Sequence, residues 1–203
     1  MNYSITHTMQ HKTILGIDPG TKEMGLAVLR GPELIYFGVQ RLRNGTRPYD
    51  IIGQARRTVL ATIAKHAPHI VALEEPFNLP TKRAHLLNVI DDELRQRSEE
   101  LGLEVVELTP MAVREVVAGN PRATKIDVAE KLVREGFPQL RELIPIRPKR
   151  SALGLRPKDK YWLHMFDALA LACAVRERSS QLPHVASASR DGATVSNPQD
   201  ETK

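Results

Sequence analysis

Four residues in three separated stretches have the types and spacing of a divalent-cation site. Asp18 closes the apolar run TILGID, Glu74 follows the apolar run IVAL, and His164 and Asp167 lie three residues apart in YWLHMFDALALACAV, on one helix face among apolar neighbours. Carboxylates gathered in one crevice repel each other unless a cation lies between them, and an ionised group on an otherwise apolar helix is costly without a partner. Three carboxylates and an imidazole are hard oxygen and borderline nitrogen donors, suited to a pair of Mg²⁺ or Mn²⁺ ions. Each residue also has a plainer role. Asp18, with Pro19 and Gly20, has the form of a tight turn with a positive φ at its third residue. His164 can be a core histidine with a backbone partner, and Asp167 a solvent-facing residue near the start of its helix. Taken one at a time these roles suffice; taken together the four residues form a ligand set.

The elements that must position them follow from the pattern of the chain. TILGID, MGLAVL and LIYFGVQ, separated by the turn signals DPGT and RGPE, predict an antiparallel meander. Residues 48–66 begin with Pro48 and space Ile52, Ala55, Val59 and Ile63 as a helix does. IVALEE, residues 70–75, is then a strand reached by a right-handed crossover, which sets it beside the first strand and parallel to it. A helix over roughly 81–101 leads to a fifth strand, LEVVEL. Thr109 and Pro110 open a helix ending near Gly119, Thr124 with Asp127 opens another that stops at Gly136, and a last helix runs from about 159 to 177. The fold class is α/β, a five-stranded mixed sheet of order 3-2-1-4-5 flanked by helices. Asp18 and Glu74 then stand about 5 Å apart at the carboxyl ends of adjacent parallel strands, where such sheets collect ligands. Glu74 and Glu75 point to opposite faces, so only one can join Asp18, and spacing does not choose between them.

With 203 residues, 41% hydrophobic and 26% charged, the chain has room for one domain with a real core. That domain is expected over 13–178, behind an N-terminal extension of residues 1–12 and ahead of a Ser-rich polar stretch, 179–203, that reads as a disordered tail. A net charge of +5 favours a polyanionic partner. The absence of an unbroken apolar span or a secretory signal predicts no membrane association and a cytoplasmic location. The single cysteine, Cys173 in ALALACAV, fits a buried small residue in a reducing compartment rather than a disulfide or metal ligand. Residues 147–160 carry Arg147, Lys149, Arg150, Arg156, Lys158 and Lys160 against one acid, Asp159. Such a run is either a solvated linker or, beside the candidate cation site, a contact for a polyanionic backbone.

Four stretches in order, GIDPGTKEMGLAVL, ALEEPF, LTPMAVREVVAGNPRATKIDVAEKLV and HMFDALALACAV, resemble the motif blocks of the RuvC family of Holliday-junction resolvases, over roughly residues 13–177. The resemblance implies an RNase H-like fold and a metal-dependent phosphodiesterase that cleaves four-way DNA junctions as a homodimer. It places the catalytic carboxylates on Asp18, Glu74 and Asp167 and the variable fourth ligand on His164. Asp18 would bridge two ions, with Glu74 on one and His164 with Asp167 on the other. The resemblance also puts an aromatic at Phe77, able to stack on an unpaired base at a branch point or to fold back on the core. It puts a basic residue at Lys125, which with Arg122 begins a helix suited to holding phosphates. AHLLNVIDDELRQR departs from the family, with Asp91 and Asp92 where a helix containing Gly and Arg is expected, which bears on dimer geometry and junction preference. Other branched DNA, structured RNA and a catalytically silent nucleic-acid-binding relative are the alternatives. GIDPGT also resembles the phosphate loop of actin-like ATPases and sugar kinases, but those need two facing domains, for which 203 residues leave no room.

Overall fold

The computed structural model of the chain describes residues 12–42, 47–76, 80–146 and 157–181. Strands β1 (Thr13–Asp18), β2 (Glu23–Arg30) and β3 (Glu33–Arg41) form the antiparallel meander. Helix α1 (Pro48–His66) crosses to β4 (Ile70–Glu74), parallel to β1, and α2 (Lys82–Glu100) crosses to β5 (Glu104–Leu108), parallel to β4. Helices α3 (Pro110–Ala118) and α4 (Lys125–Glu135), a short 3₁₀ helix (Pro138–Leu143) and α5 (Pro157–Gln181) complete the described chain. The strand order is β3-β2-β1-β4-β5, as the meander and right-handed crossovers require.

Local chemistry sets the helix ends. The Thr109 hydroxyl accepts from the Ala112 N–H ahead of Pro110, and Gly119 ends α3 in the left-handed region at φ 68°. At α4, Thr124 and Asp127 form a reciprocal capping box.

Strand β1 is buried on both faces, which is why its sequence is a continuous apolar run rather than an alternating one. Leu15 and Ile17 join Met24, Leu26 and Leu73 in the layer under α1 and α2. Ile14, Ala27, Leu29 and Ala72 face α5, which is itself covered by α3 and α4. Lying between the sheet and two helices, α5 is buried almost all round from Leu163 to Val175. Its small residues allow close approach. A β-carbon on Gly16 would stand 1.9 Å from the Ala168 carbonyl oxygen, and one on Gly25 1.8 Å from that of His164, so only glycine lets the helix sit directly on β1 and β2.

Several expectations are corrected. Gly20 is not among the residues with positive φ; glycine is required there because a β-carbon would stand 2.0 Å from the Glu23 carbonyl oxygen. The loop after Asp18 folds back on the start of β2 without a left-handed residue. Helix α5 runs to Gln181, so the domain limit expected at 178 falls inside a helix. The 3₁₀ helix was not foreseen; it buries Leu140. Of the two acids that depart from the family, Asp91 points from α2 into the layer with Ile90 and Leu94, while Asp92 is exposed and pairs with Arg95. Burial first, then the charges of Asp18, Glu74 and Glu107, push the Asp91 carboxyl up to about 7, and its Oδ1 has no hydrogen-bond partner. Among the described residues, no helix is long and apolar enough to cross a membrane.

Candidate active site

Asp18 and Glu74 are brought together by strand register. The pairs Ile14 with Ile70, Leu15 with Val71 and Gly16 with Ala72 fix β1 against β4, and two residues further along both strands end at Asp18 and Glu74. Alternation puts both carboxyls on the face that α5 covers, with Gly16, Ala72 and Ala27. This settles which of the paired glutamates joins Asp18, since Glu75 is exposed and outside the ladder.

From α5, the His164 imidazole meets Asp18: Nδ1 lies 2.5 Å from Asp18 Oδ2. One turn further, the Asp167 carboxylate is paired with the ammonium of Lys125, which reaches in from the first turn of α4. Glu74, Lys125 and Asp167 line a small cavity of about 40 Å³ with Arg114 of α3.

The electrostatics are those of crowded acids. Burial, then the charge of Asp18, push Glu74 up to about 7, against the pull of Lys125 and Arg114. Burial, then Asp18, push Asp167 up to about 6, against Lys125 and His164. Burial pulls the His164 imidazole down, but its hydrogen bond to Asp18 and the Asp18 charge outweigh this and leave it above its ordinary value. For Lys125, too, burial is outweighed, here by Asp167 and Asp18.

These residues fit a divalent cation. The charge of Asp18 destabilises the ionised forms of Glu74 and Asp167, and Lys125 on Asp167 and the imidazole beside Asp18 occupy places a metal would take. With the acids so engaged, no three His, Cys, Asp or Glu side chains among the described residues are grouped tightly enough to hold an ion as they stand.

Arg122 is exposed in the turn between α3 and α4, with its backbone N–H on Asn120 Oδ1. Lys125 joins the cluster through its pair with Asp167 while its side chain stays half exposed. Phe77, Arg147, Lys149 and Arg150 lie outside the described residues. Sequence reasoning missed Arg114, whose only signal was a basic residue in the helix after β5, and Gly25, whose signal was a glycine inside a strand.

Residues 14–137 match the family model described as crossover junction endodeoxyribonuclease RuvC. The chain belongs to the RuvC family. It is an endodeoxyribonuclease, a hydrolase on an RNase H-like fold. RuvC of Bacteroides fragilis is 31% identical to it over 131 residues, 62% of this chain and 70% of that one. RuvC of Pseudomonas putida strain GB-1 is 29% identical over 189 residues, 90% of this chain and 97% of that one. In fold the chain resembles T. thermophilus RuvC, solved in complex with a Holliday junction substrate, at TM-score 0.62 and 23% identity over 84% of this chain and 97% of that one. The yeast mitochondrial Holliday junction resolvase follows at TM-score 0.59 and 14% identity, over 84% of this chain and 80% of that one. The RuvC model match includes Asp18, Glu74 and Lys125 but stops before α5, so the roles of His164 and Asp167 rest on geometry.

Proposed function

We propose that this RuvC-family chain resolves four-way DNA junctions, hydrolysing phosphodiesters with two divalent cations, Mg²⁺ or Mn²⁺, held by Asp18, Glu74, His164 and Asp167. The observation that carries the proposal is the convergence of Asp18 and Glu74 from neighbouring strand ends with His164 and Asp167 from one face of α5. Two cations between such ligands supply an activated water on one side of the scissile phosphate and charge stabilisation for the departing 3′ oxygen on the other. Asp18 is the most central acid, in the field of Glu74, Asp167, Lys125 and His164, which suits the bridging role. Lys125 and Arg114 add positive charge beside the carboxylates, without which an anionic phosphate would be repelled. Asp18 is buried and Asp167 partly buried, which limits the screening of these charges by bulk water.

A groove of about 1070 Å³ opens beside the loop after Asp18, between the first turns of α1 and α2, with Lys22, Lys82 and Arg83 among its lining residues. It supports a path for a nucleic-acid backbone toward the site. Arg122, Phe77, Arg147, Lys149 and Arg150 are proposed as further DNA contacts, the last four from sequence alone. A two-fold dimer matches a junction that offers two equivalent strands. The single cysteine, buried and unpaired, fits the reducing cytoplasm.

The test is gel cleavage of a labelled four-way junction, a linear duplex and an RNA hairpin, each with Mg²⁺, Mn²⁺ or EDTA. The junction alone is expected to be cut, and only with metal. Equal cutting of the duplex or the hairpin would move the substrate to the alternatives, and cutting in EDTA would end the metal mechanism.

A further inference from the structure

Glu23 stands on the far side of His164 from Asp18. It opens β2 on the face that α5 covers, two residues before Gly25. Its Oε2 lies 4.0 Å from His164 Nε2, while Nδ1 of the same ring lies 2.5 Å from Asp18 Oδ2. The imidazole is bracketed by two carboxylates, one at each nitrogen.

Both ends of this bracket are anchored. The α5 backbone at His164 rests on Gly25, where a β-carbon would stand 1.8 Å from the His164 carbonyl oxygen. Glu23 pairs with Arg41 across the β2–β3 ladder, with Arg41 Nε 3.8 Å from Glu23 Oε1. The Arg41 guanidinium lies 5.3 Å from the centre of the Tyr161 ring, and the Tyr161 hydroxyl donates to the Val39 carbonyl at 2.8 Å. Tyr161 precedes His164 by three residues on α5, so contacts run from Glu23 through Arg41 and Tyr161 back to the helix that carries the imidazole. The Glu23–Arg41 pair gives little reason of its own for an acid here, because Arg41 is 77% exposed and such surface pairs contribute little.

A ring nitrogen binds metal only when it carries no proton, and the hydrogen bond made by the other nitrogen decides which one is free. We propose that Glu23 is the positioning carboxylate of His164: it accepts the Nε2–H, so that Nδ1, the nitrogen facing Asp18, is presented to a divalent cation. This rests on the metal-site assignment of His164 made above. Glu23 acts through the ring and touches neither cation nor phosphate. At 4.0 Å the pair is in ion-pair range, and the positioning role requires Glu23 to close it to a hydrogen bond when a cation is bound.

The test uses the full chain, with Glu23→Ala, Glu23→Gln and Asp18→Asn beside the parent. Mn²⁺ affinity is read from the electron paramagnetic resonance of free Mn²⁺. The tautomer of His164 is read in the Mg²⁺-loaded protein from long-range ¹H–¹⁵N ring correlations, with His164→Asn identifying the signals. Glu23→Ala is expected to weaken Mn²⁺ binding about 10- to 100-fold and to turn a single Nε2–H tautomer into a mixture. Glu23→Gln keeps an acceptor oxygen, so it is expected to keep the tautomer and lose less affinity. If Glu23→Ala binds Mn²⁺ as the parent does with unchanged ring signals, Glu23 is only a partner for Arg41 and the proposal is wrong. If the parent binds no Mn²⁺, or binds it equally well after Asp18→Asn, the metal-site assignment itself fails and the role of Glu23 fails with it.

Discussion

The backbone of β2 at Gly25 touches the backbone of α5 at His164, so closely that a β-carbon on Gly25 would stand 1.8 Å from the His164 carbonyl oxygen and 2.8 Å from the Met165 nitrogen. This contact sets the height of the helix over the sheet, and with it the reach of His164 and Asp167 to Asp18. Gly25→Ala is therefore expected to lift α5, to cost roughly 1–3 kcal/mol of stability and to slow cleavage on the order of 100-fold. Denaturant unfolding and single-turnover cleavage measure the two effects. A variant that cleaves at the parental rate would mean that the seating of α5 does not control the site.

Asp18→Asn removes the most central acid while leaving the cations that hold DNA in place. Cleavage is expected to fall below detection, with junction affinity unchanged or slightly higher because one negative charge is gone. Gel-shift and cleavage assays on one preparation separate the two. Parallel loss of binding and cutting, or retained cutting, would take Asp18 out of the ligand set.

Asp91 makes the stability of the protein depend on pH. Its carboxyl sits near 7 in the folded chain against an ordinary value of 3.8, so the folded state holds this proton more tightly than the unfolded one. Stability contributed at Asp91 is then full below about 4, is lost as pH climbs toward 7 and stays lost above it. Asp91→Asn cannot ionise, so its advantage over the parent is expected to grow by roughly 2–3 kcal/mol between pH 5 and pH 8. Urea unfolding of both proteins in EDTA at the two pH values is the measurement, and an advantage that does not change with pH would mean Asp91 is not held protonated.

As a proposed ligand, His164 is expected to tune metal preference. A neutral imidazole suits Mn²⁺ better than Mg²⁺, which prefers oxygen, so Mn²⁺ is expected to support the faster cleavage. His164→Asp should narrow that preference and His164→Ala should impair cleavage with both ions. Metal affinity is also expected to fall below neutral pH, because the ring must lose a proton that its bond to Asp18 holds more firmly than usual. Cleavage rate against metal concentration at several pH values checks all three. Parental behaviour of His164→Ala would reduce His164 to a packing residue.

The sheet order was legible because each strand carries its own signal: turn residues between β1, β2 and β3, then apolar runs reached through helices whose crossover hand is fixed. Helix ends at Thr109, Thr124 and Gly119 were legible for the same reason, since a cap is a local arrangement. The convergence of Asp18, Glu74, His164 and Asp167 was legible in their residue types, strand ends and helix spacing. Glu23, Arg114 and the seat at Gly25 were not, because each matters through a contact with a distant segment that periodicity does not encode. The burial of Asp91 was not legible for a related reason: only the packing of α2 shows that this acid points inward.

His164 and Asp18 are separated by 146 residues of chain. At about 5–20 residues per second, roughly 7–30 s pass during synthesis between the addition of the first acid and that of the imidazole that meets it. Strand β1 and the sheet around it can begin to form in that interval, but α5 supplies two of the four proposed ligands and must dock on the two glycines before they face one another. A chain stopped short of α5 carries Asp18 and Glu74 without their partners. The nuclease is therefore silent as a nascent fragment and becomes competent only when its folding is nearly finished.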